Sequence, residues 1–281
     1  TNEANQMDNK ALLKAIENDL KNGHQPFMVV GTAGDVSTGV VDDLNEIAAI
    51  CKQYNLWFHV DGAYGAPAAV LPEMAADFDG LAEADSIALD PHKWLYSPLE
   101  AGCTLVKKPK HLVDTYSSHP DYYHFDAENQ EHGTNFYEFG FQNSRGFRAL
   151  KVWLALKQVG KSGYQEMIRE DIELALYFFE LAKKHPELEA VTHHLSLTTL
   201  RFVSEEKQEE EYLNELNEKL VERLQSHPEM FLSNAIVKSK YCLRGCIVNF
   251  RTSRKDIEEI IEIIVREGRK LHMDMSSQRA L

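Results

Sequence analysis

Apolar positions along the chain follow two periods. Phe27-Met-Val-Val30 is a continuous apolar run, the pattern of a strand covered on both faces. Leu44, Ile47, Ala48 and Cys51 then recur at helical spacing, and Leu56 to Val60, Ser86 to Leu89 and Cys103 to Val106 read as further strands. Strand, helix and strand with short links predict a parallel or mixed α/β sheet, and such sheets bind ligands at the carboxyl ends of their strands. Residues 114–141 are polar and aromatic without a period, a long connection that is either functional or mobile.

Two helical stretches follow. One runs from Asn143 to about Gln158 and carries Phe147, Leu150 and Leu154; the other, from about Gly163 to Lys184, is expected to bury Met167, Ile168, Ile172, Ala175 and Phe179. A domain boundary between them, or within the second, divides the chain into residues 1–160 and 161–281. The remainder alternates: a strand from Leu197 to Val203, a helix from Glu209 to Gln225, strands around Phe231 to Val237 and Gly245 to Phe250, and a last helix. That helix has Ser253 as N-cap, Asp256 in its first turn, and Ile257, Ile260, Ile261 and Ile264 on one face.

Composition narrows the function classes. The chain has 281 residues, 43% hydrophobic and 26% charged, with a formal net charge of −14, which is ordinary for a globular protein but wrong for a nucleic-acid surface. Cys51, Cys103, Cys242 and Cys246 show neither a disulfide framework nor paired metal-ligand spacing, and no metal is expected. Cys242 and Cys246 would point to one face of a strand, and a core position is expected for both. The first residues do not read as a secretory leader, and no apolar run reaches membrane-spanning length. A cytoplasmic location away from membranes is therefore expected, with the acidic run Glu205 to Glu211 as a solvated loop and helix start.

The candidate chemistry centres on Lys93, just past the apolar strand Ser86 to Leu89 and behind His92. Asp61 ends the strand-like run Trp57-Phe-His-Val-Asp61, 32 positions earlier. A lysine and an aspartate at the ends of neighbouring strands suggest pyridoxal phosphate (PLP) chemistry, the amine forming a Schiff base and the carboxylate pairing with the protonated pyridine nitrogen. Each residue also has a plainer reading, Lys93 as a surface lysine and Asp61 as a turn former before Gly62. His59 shares the face of Asp61 and either supports its carboxylate or is a buried structural histidine.

His59-Val-Asp-Gly-Ala-Tyr64, Ala84-Asp-Ser86, Asp90-Pro-His-Lys-Trp94, Ser144-Arg-Gly-Phe-Arg-Ala-Leu-Lys-Val-Trp153 and Asn249-Phe-Arg-Thr252 together extend the pattern. In order and spacing they resemble the group II PLP-dependent amino acid decarboxylases, the family of aromatic amino acid and glutamate decarboxylases, from about residue 26 to the C-terminus. The resemblance implies an α/β fold of fold type I, as the second half of its PLP-binding large domain followed by a small C-terminal α+β domain. It implies a longer protein, whose upstream part holds the phosphate-cradling loop and a ring-stacking histidine, and two subunits that share each active site as a homodimer.

Carried over residue by residue, the resemblance makes Lys93 the Schiff-base lysine and Asp61 the partner of the pyridine nitrogen. Ala63 would touch the cofactor ring, and His92 the phosphate while helping to hold Lys93. Asp90 falls where relatives carry Asn or Asp near the phosphate; an ionised carboxylate cannot donate to a phosphate, so an indirect role is expected. Tyr122, 29 positions after Lys93, would return a proton to the carbon that has lost carbon dioxide, with Tyr123 as its competitor. Asp35-Val36 departs from the two threonines of many relatives, with Thr32, Ser37 and Thr38 as candidate substitutes. Arg145 and Arg148 would serve phosphate or dimer contacts, or stand solvated on a helix. The implied reaction is decarboxylation of an L-amino acid, aromatic in preference, to the amine. The alternatives are an aldehyde synthase or carbon-carbon lyase of the same fold, or an inactive dimerising fragment.

Overall fold

A computed structural model of the chain describes residues 1–118, 135–204, 209–228 and 230–279. Strands β1 (Met28–Thr32), β2 (Trp57–Asp61) and β3 (Ser86–Leu89) run parallel, and β4 (Cys103–Val106) pairs antiparallel with β3 in one sheet ordered β1-β2-β3-β4. Helix α2 (Leu44–Tyr54) starts where the Asp43 side chain accepts from the Glu46 amide at 2.9 Å and stops at Asn55 in the left-handed conformation. Its buried stripe, Leu44, Ile47, Ile50 and Cys51, packs with Val29, Phe58 and Val60 of the sheet. A Cβ at Gly31 would stand 3.2 Å from both Leu44 and Ile47, so the helix lies close enough to favour glycine there.

An earlier helix, α1 (Asn9–Lys21), is not anticipated by the sequence reading. Asp8 caps it through the amides of Lys10 and Ala11, and Ile16 is its buried apolar anchor.

The expectation for Phe27 to Val30 is corrected. Val29 is buried, but Met28 and Val30 on the opposite face remain 44% and 40% exposed. The run is written for two covers and the described residues supply one. The open face also carries Trp57, His59 and Asp61 in register with Met28, Val30 and Thr32. Helix α3 (Lys110–Tyr116) reaches it at one point, where His111 lies 5.1 Å from Trp57.

The two expected helices after residue 143 follow one another in α4 (Arg148–Lys184), separated at Gly160, whose φ 70° and ψ 172° are not helical. Before Gly160, Leu150, Trp153 and Leu154 are exposed. After it the buried stripe is Tyr164, Ile168, Asp171, Ala175, Phe178 and Ala182, so Met167, Ile172 and Phe179 sit at its margin.

The second sheet is antiparallel, ordered β5-β6-β8-β7 from β5 (Leu188–His194), β6 (Leu197–Phe202), β7 (Ser233–Val237) and β8 (Lys240–Cys246). The strand expected at Gly245 to Phe250 lies earlier, because Lys238 and Ser239, both at positive φ, join β7 to β8 in a two-residue hairpin. Cys242 is fully buried on β8 and Cys246 partly. Helices α4, α5 (Glu210–Gln225) and α6 (Arg254–Arg279) cover one face with a core that includes Leu200, Phe202, Leu216, Leu220, Leu243 and Ile264. Ser253 caps α6 reciprocally with Asp256 as expected, its hydroxyl donating to the carboxylate at 2.8 Å.

The β5–β6 hairpin tip joins the two sheets. Leu195, at φ 49°, is buried against Gly34 and Gly65 of the loops that follow β1 and β2. Beside it the hydroxyls of Ser196 and Tyr64 lie 2.8 Å apart. The second sheet thus braces the strand ends where the candidate residues stand.

Candidate active site

Asp61 is the last residue of β2, in register with Thr32 of β1 and Ala88 of β3. Its Oδ1 accepts the Ala63 amide at 3.1 Å, a local turn that aims the chain away from the strand. The side chain is exposed, and no other hydrogen bond or cation takes its carboxylate among the described residues. Two backbone hydrogen bonds tie this turn to the next one: Gly62 N to Ala88 O at 3.0 Å, and Asp90 N to Ala63 O at 3.2 Å.

Past β3 the chain folds over at once, Lys93 N donating to Asp90 O at 2.8 Å. The same turn brings Lys93 Nζ to 2.8 Å from Asp90 Oδ2, while His92 Nε2 stands 4.0 Å from that oxygen. Asp90 is thus the counter-ion of the Lys93 amine. His92 Nδ1 lies 2.8 Å from Ala101 O and 3.1 Å from Ala101 N, so either tautomer finds a partner and the ring is fixed.

Behind this turn Trp94 and Tyr64 of the motifs meet Tyr96, Tyr164 and Asp171, which sequence reading does not single out. Trp94 is fully buried and stacks on Tyr64 with ring centroids 5.1 Å apart. Its indole Nε1 donates to Asp171 Oδ2 at 2.9 Å, and Tyr96 OH donates to the same oxygen at 2.6 Å. Tyr164 OH donates to Leu95 O at 3.0 Å. Burial pushes the Asp171 carboxyl up to about 6, against the two hydrogen bonds that favour its charge. Burial, reinforced by the bond to Asp171, raises the Tyr96 phenol as well. The only sequence signal was an acid on an otherwise apolar helical stripe.

Other expectations sort by geometry. His59 Nδ1 lies 2.7 Å from Ser86 Oγ, which also accepts from Trp57 Nε1 at 2.8 Å, so the bond of His59 goes to Ser86. Thr38 is buried and donates to Asp35 Oδ1 at 2.9 Å, and Asp35 also accepts the amides of Ser37 and Thr38. The departure at Asp35 therefore builds a closed turn, and Thr32 is the candidate in register with Asp61. Arg148 Nε donates to Glu100 Oε1 at 2.6 Å, holding that carboxyl below its usual range, while Arg145 is exposed. Tyr122 and Tyr123 lie outside the described residues. Among those residues no cluster of His, Cys, Asp and Glu could hold a metal, and no helix is long and apolar enough to cross a membrane.

The donor set fits pyridoxal phosphate. Lys93 offers an accessible amine, Asp61 a carboxylate without a cation, and Ser97 Oγ in the same loop is buried without a hydrogen-bond partner among the described residues. An aldehyde, a protonated ring nitrogen and a phosphate are the groups such a set would receive.

Comparison with known proteins agrees. Residues 1–204 match the pyridoxal-dependent decarboxylase conserved domain, which extends the likeness upstream of residue 26. The aromatic-L-amino-acid decarboxylase of Bacillus atrophaeus is 37% identical over 257 residues, covering 91% of this chain and 53% of that protein. The phenylacetaldehyde synthase of Petunia hybrida is 32% identical over 242 residues, 85% of this chain and 48% of the relative. The crystal structure of Oryza sativa TDC with PLP and tryptamine superposes with a TM-score of 0.87 at 27% identity, over 95% of this chain and 55% of that one. The chain spans about half the length of these relatives. Its α/β architecture is that of the fold type I PLP enzymes, as expected from the sequence. The chain belongs to the pyridoxal-dependent decarboxylase family.

Proposed function

We propose that the protein binds pyridoxal phosphate through Lys93 and decarboxylates an L-amino acid, with an aromatic substrate favoured, releasing the amine and carbon dioxide. One observation carries this reading: the Lys93 amine and the Asp61 carboxylate follow adjacent parallel strands, in turns tied together by Asp90 N to Ala63 O. The bound cofactor supplies an electron-accepting ring for the electrons left when the α-carboxylate departs. Asp61, with no competing cation among the described residues, would hold the ring nitrogen protonated. Lys93 Nζ, held 2.8 Å from Asp90, would be the amine that carries the cofactor aldehyde and would yield that place to the substrate amine. Ala63, next to the Asp61 turn, is small enough to lie against the ring, and His92 holds the phosphate side and the Lys93 turn. Tyr122 is the proposed proton donor to the carbon that lost carbon dioxide.

The relatives named as aromatic amino acid decarboxylase and as TDC with tryptamine support the aromatic substrate. The proposed division at residue 160 puts all of these side chains in the first part and the bracing hairpin in the second. A homodimer in the cytoplasm completes the proposal, supported by the family's pattern of shared sites and the acidic, ordinary composition. Aldehyde formation is the second reading, favoured by the likeness to phenylacetaldehyde synthase. The test supplies a panel of L-amino acids to the full-length protein with pyridoxal phosphate and measures carbon dioxide, amine and aldehyde together. Equal carbon dioxide and amine is expected with an aromatic substrate. Carbon dioxide matched by aldehyde supports the second reading, and no carbon dioxide from any amino acid overturns both.

A further inference from the structure

We propose that Asp171 is the positioning residue of the Lys93 turn: one buried carboxylate oxygen holds the side chains of Trp94 and Tyr96 and thereby fixes where the Lys93 amine stands. The inference rests on the reading of Lys93 as the cofactor-bearing lysine.

Three consecutive residues after Lys93 are held from the same stripe of α4. Trp94 and Tyr96 both donate to Asp171 Oδ2, at 2.9 and 2.6 Å, and the Leu95 carbonyl accepts from Tyr164 at 3.0 Å. Tyr164 and Asp171 are two turns apart on one helical face, with the buried Ile168 between them. The turn needs such support, because Tyr96 sits at φ 52°, a left-handed conformation that a non-glycine residue adopts at a cost. Trp94 is gripped from its other side by Tyr64, whose hydroxyl is fixed by Ser196 at the hairpin tip. The Lys93 side chain itself is tethered at its tip by Asp90 and is otherwise accessible. Its position is therefore set by Asp90 at the tip and by the backbone of the turn, which hydrogen bonds from Lys93 N to Asp90 O and Tyr96 N to Lys93 O close and which Asp171 holds through Trp94 and Tyr96.

At 1% exposure, position 171 lies on a mostly apolar stripe where an ionised carboxylate is costly to desolvate, and leucine there would leave the Trp94 and Tyr96 donors without their acceptor. What leucine cannot do is accept two hydrogen bonds at one point. Asparagine can, through its amide oxygen, without the charge.

The test follows attachment of pyridoxal phosphate to the full-length protein and its Asp171→Asn, Asp171→Leu and Tyr96→Phe variants. The rate is read from the visible band that borohydride abolishes, the position from the mass of the reduced peptide, and folding from the melting transition. Asp171→Leu is expected to slow attachment at Lys93 by about tenfold or more, the scale of losing hydrogen bonds to a charged group. Asp171→Asn should restore the rate to within about threefold, and Tyr96→Phe, which keeps its ring and loses one donor, should slow it by about threefold. Were Asp171→Leu not to fold, Tyr96→Phe decides. Wild-type rates in every folded variant would overturn the inference, as would Asp171→Asn being as slow as Asp171→Leu, since the charge rather than the acceptor would then matter. Wild-type protein without label on Lys93 overturns the underlying assignment, an outcome distinct from equal labelling across the variants.

Discussion

The second sheet packs α4, α5 and α6 on one face and carries on the other a small apolar cluster of Ala235, Val237 and Cys242 beside paired polar groups. There Thr192 and Thr199 hydroxyls lie 2.6 Å apart, and the buried Arg201 donates to Glu189 at 2.6 Å and to Glu210 at 2.8 Å. The first sheet differs. Its covered face is apolar, but its other face leaves Met28 and Val30 exposed and ends in Asp61, whose carboxylate has no cation beside it among the described residues. These polar side chains of the second region are paired internally, with Arg244 Nε buried and unpartnered among the described residues, whereas the Lys93 amine, paired with Asp90, and the Asp61 carboxylate of the first are accessible. The difference separates the brace from the reactive surface: buried, mutually paired groups hold a fold together, and accessible groups at strand ends can receive a ligand.

The largest expected effect lies in the second region. Leu200→Ala, at a fully buried position, should destabilise by about 2–5 kcal/mol in a denaturant titration. A cost below about 1 kcal/mol would mean that this core is not the brace.

The next concerns Asp171, where the regions meet. Its carboxyl, raised from 3.8 to about 6 in the folded protein, binds protons more tightly than in the unfolded chain. The stability it contributes is therefore fully present below about pH 4 and is lost as pH rises through about 6. The groups facing it are Tyr96 and Trp94, with Glu170 on its own helix and Cys246 on β8. Relative to Asp171→Asn, the wild type should lose up to about 3 kcal/mol between pH 4 and pH 7. Parallel melting curves for the two proteins across that range would show Asp171 to be ionised without penalty.

Asp61→Asn sharpens the contrast. With no partner for its charge among the described residues, the substitution should leave the melting temperature unchanged but weaken cofactor retention by about 1.5–3 kcal/mol, the worth of one charge-assisted hydrogen bond. A fall in stability with cofactor binding intact would give Asp61 a structural role instead. The smallest effect belongs to the open face. Val30→Ala should cost less than about 1 kcal/mol, since the side chain is already 40% exposed. A cost like that of Leu200→Ala would show this face to be covered in solution.

Sequence legibility divides along the same line. Strands Ser86 to Leu89 and Cys103 to Val106 match residue for residue, because apolar runs bounded by turns carry local signals. The cap of α6 reads equally well, Ser253 and Asp256 being three positions apart. Helix α1 and strand β5 escape because their partners are distant and their sequences mix polar with apolar residues. The β7–β8 hairpin escapes because Lys238-Ser239 takes positive φ without glycine or asparagine. Within the site, Asp61, Ala63, Asp90, His92 and Lys93 lie in two short segments that sequence can flag. Asp171 joins them from 77 positions beyond Trp94 and acts through a fold that no local pattern encodes.

The most direct test of the account is the site of covalent attachment. Full-length protein loaded with pyridoxal phosphate, reduced with borohydride and digested, should carry the pyridoxyl mass on the peptide containing Lys93, and Lys93→Ala should carry none. Label on Lys107, Lys108 or another lysine, or an undiminished adduct in Lys93→Ala, would contradict it.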